Sequence, residues 1–165
     1  MKIQLGAVAA IAMLAGQASA TVWTINDNLS GLQEVPSNAS PAFGTVTGTY
    51  DDATNSLAYN VIFSGFVGTT TAAHFHGPAA PGVNAGVQIA LLGLPVGVTS
   101  GSLGDTIALT AVQESDLLNG LWYMNIHSSA FPGGEIRGQI NPVPAPGAGA
   151  LVGLAGLCAA RRRRR

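Results

Sequence analysis

Three histidines are the residues of this 165-residue chain whose type and spacing could bind a metal. His74 and His76 flank Phe75. On a β-strand, where side chains alternate, both imidazoles would point to one side and Phe75 to the other. If the strand that ends at His127 lies beside theirs, the three imidazoles could converge on one Zn²⁺ or Cu²⁺ ion. The sequence therefore contains a candidate mononuclear site made of His74, His76 and His127.

A structural role for the same histidines is the alternative. Imidazoles at strand ends donate and accept hydrogen bonds, and here they would tie the loop at 77–82 and the loop at 128–134 to the sheet. The sequence leaves both interpretations open. The cofactor prediction is accordingly none, with a single Cu or Zn ion as the alternative.

Other catalytic arrangements find little support. The sequence has no G-x-S-x-G motif to place a nucleophilic serine. Glu34 and Glu135 could form the carboxylate pair of a glycoside hydrolase, but nothing in the sequence places them at a useful separation. Glu135 and Arg137 share one side of a predicted strand, where we expect a solvated or partly buried ion pair. We therefore predict that the protein is not an enzyme and has no catalytic residues.

Short β-prone runs must position these residues. Apolar side chains alternate from Leu57 to Phe63, residues 45–50 form a Thr-rich run, and residues 51–55 between them have turn chemistry, which predicts a hairpin. Further strands are predicted at 22–25, 71–75, 87–91, 105–109, 121–127 and 135–140, and a helical turn at 112–119. Glycine and proline clusters separate the runs. This pattern predicts an all-β, antiparallel sandwich or barrel with a single domain.

The charges are distributed unevenly along the chain. Lys2 and the five C-terminal arginines leave Arg137 as the only cation between them, whereas all eight acidic residues lie in that central part. The formal charge of residues 21–141 is therefore 1 − 8 = −7. A folded surface with one cation cannot neutralise several phosphates, which excludes nucleic acid as a partner and anionic lipid as a docking surface. The single cysteine, Cys158, lies outside this domain, so no disulfide is expected within it.

The N-terminal residues 1–20 have the three parts of a secretory signal peptide. Lys2 precedes an apolar stretch, and Ala18 and Ala20 form an A-x-A cleavage site. We expect the export machinery and signal peptidase to be partners, with cleavage after Ala20. The mature chain would then begin at Thr21.

The C-terminal residues 142–165 form a Pro-rich segment, an apolar run and a basic cluster. The apolar run at 148–160 would cover roughly 20 Å as a helix, short of the ~30 Å hydrocarbon core, so we expect a transient membrane association. The Pro-rich motif consists of Val143, Pro144, Ala145 and Pro146. The basic cluster consists of Arg161, Arg162, Arg163, Arg164 and Arg165.

This tail resembles the PEP-CTERM family of bacterial sorting signals. Its VPAP motif stands where the family has Val-Pro-Glu-Pro, with Ala145 in place of the usual Glu. The resemblance implies an exosortase-type transpeptidase as a partner that removes the tail. It also implies a Gram-negative bacterium and a product that is held briefly in the inner membrane before it is released to the cell surface or the extracellular matrix.

The part between, residues 21–141, resembles the chordin-type CHRD domain. The resemblance is carried by Glu-Val-Pro at 34–36, Ala-His-x-His-Gly-Pro at 73–78 and Gly-Glu-Ile-Arg-Gly at 134–138. It implies a secreted all-β module with an immunoglobulin-like or superoxide-dismutase-like sandwich and no established enzymatic activity. Dismutase chemistry is not expected, because copper–zinc enzymes need six histidines and a disulfide and this chain has three histidines.

Taken together, these features predict a secreted, envelope-sorted protein with a non-enzymatic binding or structural role at the cell surface or in extracellular matrix. Extracellular polysaccharide is a candidate partner for its acidic exterior, which is rich in Thr, Gly and Asn. The alternative is an envelope protein that binds one Cu or Zn ion through its three histidines.

Overall fold

A computed structural model describes residues 21–145 of the chain. The predicted signal peptide with Ala18 and Ala20 lies outside the described residues. So do Pro146, the apolar run at 148–160 and the arginine cluster at 161–165. Within residues 21–145, no helix has the length and apolar character that a membrane crossing requires.

The described chain is an antiparallel β protein with one short helix. Its elements are β1 (Val22–Ser30), β2 (Phe43–Asp51), β3 (Ser56–Ser64), β4 (Thr70–His76), β5 (Val87–Ala90), β6 (Gly101–Ala108), α1 (Ala111–Leu118), β7 (Trp122–Ser128), β8 (Ile136–Ile140) and β9 (Val143–Pro144), with a 3-10 turn at Gly31–Gln33. The strands form one curled, half-barrel sheet in the order β5-β4-β7-β8-β1-β2-β3-β6, with β9 paired to β1. The predicted all-β, single-domain architecture is confirmed.

The hairpin of β2 and β3 follows the alternation in its sequence. The two strands pair from Asp51 opposite Ser56 to Phe43 opposite Ser64, so the predicted turn at 51–55 is confirmed. Asn55 adopts a positive φ of 53°, a conformation that Asn tolerates better than most residues. Period-two burial along β3 shows one face of the hairpin directed into the core and the other directed outward.

β8 and β1 share a single paired position, Ser30 opposite Arg137. We call the strands β5, β4, β7 and β8 the β7 half, and the strands β1, β2, β3 and β6 the β3 half. Curling brings the two halves face to face around one apolar core. Tyr59 of β3 meets Phe75 of β4 edge to face, with ring centroids 5.3 Å apart. Burying a side chain the size of Phe75 contributes about 1.5–3 kcal/mol.

Helix α1 links the two halves by connecting β6 to β7. Thr110 caps its first turn: the side chain accepts a hydrogen bond from the Gln113 amide, and the Gln113 side chain accepts one from the Thr110 amide. This capping box satisfies amides that the first turn leaves free. The predicted helical turn at 112–119 is confirmed, with Leu117 as its fully buried residue.

The start of the Pro-rich motif lies along the sheet. Val143 pairs with Thr24 and Pro144 with Trp23 in an antiparallel register. The Ala145 amide then donates a 2.8 Å hydrogen bond to the Val22 carbonyl. The chain therefore follows β1 for three residues past the boundary at 141–142 that the sequence suggests.

Candidate metal centre

The three histidines come together on the outer face of the β7 half, the face turned away from the apolar core. β4 and β7 are antiparallel neighbours, with His74 opposite Asn125 and His127 opposite Ala72. His74 and His76 share this outer face, while Phe75 between them is buried in the core. The alternation predicted for His-x-His and the proximity of the two strands are both confirmed.

The ring nitrogens of the cluster converge. His74 Nδ1 lies 3.0 Å from His127 Nε2, and one nitrogen from each of the three rings falls within 4.8 Å of the others. Two nitrogens bound to one ion at about 2.0–2.1 Å are at most about 4.2 Å apart, so side-chain shifts of less than about 1 Å would complete a three-coordinate site.

Two of the rings are oriented by backbone carbonyls. His127 Nδ1 donates to the Pro132 carbonyl at 2.8 Å, and His76 Nδ1 donates to the Ala85 carbonyl at 3.0 Å. A carbonyl accepts but cannot donate, so each of these Nδ1 atoms carries the proton and leaves its Nε2 with a lone pair. The Nε2 of His76 is buried with no partner among residues 21–145. Metal-binding histidines in proteins are held by the same kind of outer hydrogen bond.

The structural interpretation of the histidines is also partly confirmed. The bond from His127 to Pro132 ties the loop at 128–134 to the sheet, as expected. The bond from His76 reaches Ala85, three residues beyond the expected 77–82 loop. His74 differs from both, because its hydrogen bond within the described chain goes to His127 and not to a loop.

Electrostatics keep lone pairs available at neutral pH. Burial lowers the pKa of His74 below its ordinary value, and the nearby rings of His127 and His76 lower it further. Burial also lowers the pKa of His127, against the opposing effect of its hydrogen bond to Pro132. Neutral imidazole is the form that binds metal, so the low pKa values favour metal binding over protonation.

Tyr123 packs against the histidine cluster. Its ring stacks on that of His76 with centroids 4.8 Å apart and planes within 2° of parallel. Its hydroxyl donates to the Ala85 carbonyl at 3.2 Å and accepts from the Ala85 amide at 3.1 Å. The alternation of β7 places Tyr123 on the same face as His127, but no sequence signal marks its role, because its partner is a backbone group 38 residues away.

Arg137 lies over the Tyr123 ring, with its guanidinium carbon 3.4 Å from the centroid. It donates to the Asn84 side chain at 3.0 Å and to the Val83 carbonyl at 2.8 Å. Because Arg137 belongs to β8 and His76 to β4, on opposite sides of β7, the two flank Tyr123 from different strands.

The prediction of an ion pair between Glu135 and Arg137 is wrong. Both side chains are fully buried, at 0% and 1% exposed, and they have different partners. Glu135 Oε1 accepts hydrogen bonds at 2.6 Å from both the Ser40 hydroxyl and the Val67 amide. Glu135 precedes β8 instead of lying within it, so the alternation that would place it beside Arg137 does not reach it.

Glu34, the other carboxylate considered above, lies in the loop after β1 and is 7% exposed. Burial raises its pKa to about 7, although attraction to Arg137 and hydrogen bonds from the Val35 amide and the Asn125 side chain act against the rise. Glu34 and Glu135 therefore contact different neighbours, and the contacts of Glu135 are those of a loop anchor.

Comparison with known proteins identifies a family for most of the chain. The family model described as the CHRD domain matches residues 25–140. No curated protein matches the chain. No solved structure matches it either.

Proposed function

The chain belongs to the CHRD domain family, and we propose that it works outside the cytoplasm as a non-enzymatic domain that binds one copper or zinc ion through His74, His76 and His127. The family suggests a secreted, extracellular role of the binding type. The metal is the more specific part of the proposal, and it comes from the geometry of this chain.

One observation carries the proposal. One nitrogen from each of the three imidazoles lies within 4.8 Å of the others, and the Nδ1–H groups of His76 and His127 each donate to a backbone carbonyl oxygen. The buried Nε2 of His76 has a lone pair without a partner among the residues that the structure describes, and such a lone pair costs free energy unless something binds it. A metal ion in the centre would bind this atom and would replace the hydrogen bond between the facing nitrogens of His74 and His127, with the proton of His74 Nδ1 moved to the other nitrogen of that ring.

The donor set favours borderline metals. Three neutral imidazoles suit Zn²⁺ and Cu²⁺, and Cu²⁺ binds such nitrogen sites more tightly than Zn²⁺ in the usual order of affinities. With three protein ligands, a fourth position would remain for water or another group. We propose that copper binds this site more tightly than zinc does.

His74→Ala is the sharpest test of the metal proposal. This change removes a ligand without removing a loop anchor, since the hydrogen bond of His74 is to His127. Protein purified without a His tag should bind one equivalent of Cu²⁺ or Zn²⁺ per chain by elemental analysis. Metal at about 100 times its Kd should add about 2.7 kcal/mol of stability, which raises Tm by roughly 10 °C.

Thr47→Ala, on the β3 half, is the matched control. His74→Ala should lose the metal and the rise in Tm while its metal-free Tm stays close to that of the wild type. Thr47→Ala should keep both. Absence of stoichiometric metal from the wild type, or an unchanged rise in Tm in His74→Ala, would leave the histidines with a structural role only.

We further propose export and sorting by the two ends of the chain. The signal-like residues 1–20 and the PEP-CTERM-like residues 142–165 support this part, with signal peptidase and an exosortase-type enzyme as processing partners and the cell surface or matrix as destination. Deleting residues 148–165 should release the domain into the medium or change its place in the envelope. Cell fractionation with intact-mass measurement would test this, and an unchanged distribution of the truncated protein would contradict it.

Extracellular polysaccharide is the partner we propose for the exposed face of the β3 half. Uncharged polar side chains on this face include Asn26, Thr47 and Asn60, which are cross-strand neighbours on β1, β2 and β3. All three are exposed. Hydroxyl and amide groups in such an array can hydrogen-bond sugar hydroxyls without a charge requirement.

A further inference from the structure

A second candidate site lies beside the metal centre, between the loop at 34–38 and the loop at 130–134. The two loops enclose a cavity of about 290 Å³, which is near the lower end of the range for small-molecule pockets. The loops are joined by the Asn38 side chain, which donates to the carbonyls of Gly134 and Glu135. The cavity is therefore part of the folded domain and has a defined shape.

Glu34 lines this cavity with an incompletely paired carboxyl group. The side chain is 7% exposed, and its Oε1 atom is buried without a partner among the described residues. A Cβ atom at Gly134 would collide with Oε1, so the glycine, with a φ of 133°, leaves room for the carboxyl. Asn125 beside it also has a buried acceptor, Oδ1, without a partner in the described part of the chain. Within residues 21–145, these two acceptors therefore lack donors.

Within residues 21–145, no cation is dedicated to this carboxyl. Arg137 attracts Glu34, but its guanidinium donates to Val83 and Asn84 and lies over the Tyr123 ring. The raised pKa of Glu34 is consistent with a carboxylate whose charge is insufficiently compensated. Glu34 is the one charged residue in the lining, and residues 21–145 as a whole contain one arginine and eight acidic residues, so the net charge of the domain favours cations over anions.

The remaining walls are largely apolar. Val35, Pro36, Phe131 and Pro132 contribute hydrocarbon and one aromatic ring to the lining. Such walls suit the aliphatic part of a ligand, and an aromatic face also attracts a cation. We propose that the cavity binds a small organic cation, with its ammonium group donating to Glu34 and its hydrocarbon part packed against Phe131 and Pro132.

This site is distinct from the metal centre but shares a loop with it. Pro132 lines the cavity, and its carbonyl holds the Nδ1 proton of His127. The ligand would therefore contact the residue whose carbonyl orients the metal-binding ring of His127. An amine could also coordinate a bound metal ion, so binding to the cavity must be measured on metal-free protein.

The test uses n-butylammonium chloride as the probe and the exported protein treated with EDTA. Isothermal titration at pH 8, where Glu34 is ionised, should show saturable binding of butylammonium. Sodium chloride at equal ionic strength, 1-butanol and glucose are the comparison solutes. Binding of butylammonium should be at least tenfold tighter than binding of either neutral molecule.

Glu34→Gln keeps the size of the side chain and removes its charge, and should weaken butylammonium binding at least tenfold. Asp105→Asn removes one carboxylate from an exposed position on β6 and should change binding less than twofold. Equal binding by Glu34→Gln and the wild type, or tighter binding of glucose than of butylammonium, would overturn the proposal. Failure of the metal proposal would not affect this result, because no metal is present.

Discussion

The outer faces of the two halves of the sheet differ in their exposure to solvent. In the β3 half, β3 alternates between buried and exposed residues, and polar side chains such as Thr47 and Asn60 face solvent. In the β7 half, six of the seven residues of β7 are buried, including Tyr123 and Asn125 on its outer face. The outer face of the β7 half is buried because three loops cover it, at 31–42, 77–86 and 129–135. They contact that face through Glu34, Ala85 and Pro132.

The candidate functional residues are distributed between the two halves in the same uneven way. Both halves contribute to one apolar core, but all three histidines, Arg137 and the buried carboxylates belong to the covered half or to its loops. Buried polar groups normally find partners, so those without one are informative. Atoms of His76, Glu34 and Asn125 that have no partner within residues 21–145 lie under the same loops. We propose that bound ligands provide the missing partners of the first two.

The largest effect should come from Arg137→Met. This change removes two hydrogen bonds and the contact with the Tyr123 ring, and it leaves the carboxyl of Glu34 without its nearest cation. Breaking a buried charged arrangement by removing one member costs about 3–5 kcal/mol. Urea unfolding should show a loss of about 4 kcal/mol.

Arg137→Lys is the matched variant. It keeps the charge but cannot bond Asn84 and Val83 as a planar fork, so it should recover part of the loss. A loss below 1 kcal/mol in Arg137→Met would mean that the covered face tolerates polar rearrangement as readily as the exposed face does. The contrast between the halves would then be wrong.

Glu34→Gln should have a smaller effect that depends on pH. The folded-state pKa of Glu34 is about 7, against an ordinary value of 4.5, so the folded protein holds this proton more tightly than the unfolded chain does. The contribution of Glu34 to stability is therefore fully present below pH 4.5 and is lost as pH rises through 7. Glutamine does not ionise, so the variant should be more stable than the wild type by about 2 kcal/mol at pH 8, after allowance for solvent screening.

Urea unfolding of both proteins at pH 4, 6 and 8, without metal, would measure this difference. The advantage of Glu34→Gln should be near zero at pH 4 and grow with pH. If the advantage were the same at all three pH values, the pKa of the Glu34 carboxyl would not differ between the folded and the unfolded protein, and the prediction would be wrong. Saturating butylammonium should reduce the advantage at pH 8 by stabilising the wild type.

Much of the β architecture could be predicted from local patterns. Alternation along 57–63 and turn chemistry at 51–55 define a hairpin from adjacent residues alone, and the same alternation put both histidines of His-x-His on one side. The neighbouring position of β4 and β7 could not be derived in this way. Their contact joins residues about 50 apart, as in the 53-residue separation of His74 and His127.

The support of the site was missed because much of it is backbone. The carbonyls of Ala85 and Pro132 orient two imidazoles, and any residue type could supply them. The covering of the outer face has the same origin: polar Asn125 and Arg137 on a strand suggest a solvated side, and only the loop positions show that it is buried. The error in pairing Glu135 with Arg137 has another origin, because Glu135 precedes β8 and the alternation of the strand does not reach it.

A smaller effect is predicted for Asp52, which follows β2 in the β3 half. The Thr21 amide donates to Asp52 Oδ1 at 2.7 Å. If cleavage follows Ala20, this nitrogen becomes an ammonium group and the contact becomes an ion pair at a partly exposed position. Asp52→Asn should cost the exported protein about 0.5–1 kcal/mol. It should cost less in protein that keeps residues before Thr21, and equal losses in the two forms would contradict the pair.

Thr47→Ala should have the smallest effect and gives the most direct check of the exposed face. Its hydroxyl donates to the Asn60 carbonyl across a long 3.4 Å contact at an exposed position. Surface substitutions without special contacts usually change stability by less than about 0.5 kcal/mol. Urea unfolding should show a change of that size, with metal binding unaltered. A loss above about 1.5 kcal/mol would mean that this face is covered in solution, by a second copy of the chain or another partner, and light scattering of the wild type would separate these two causes.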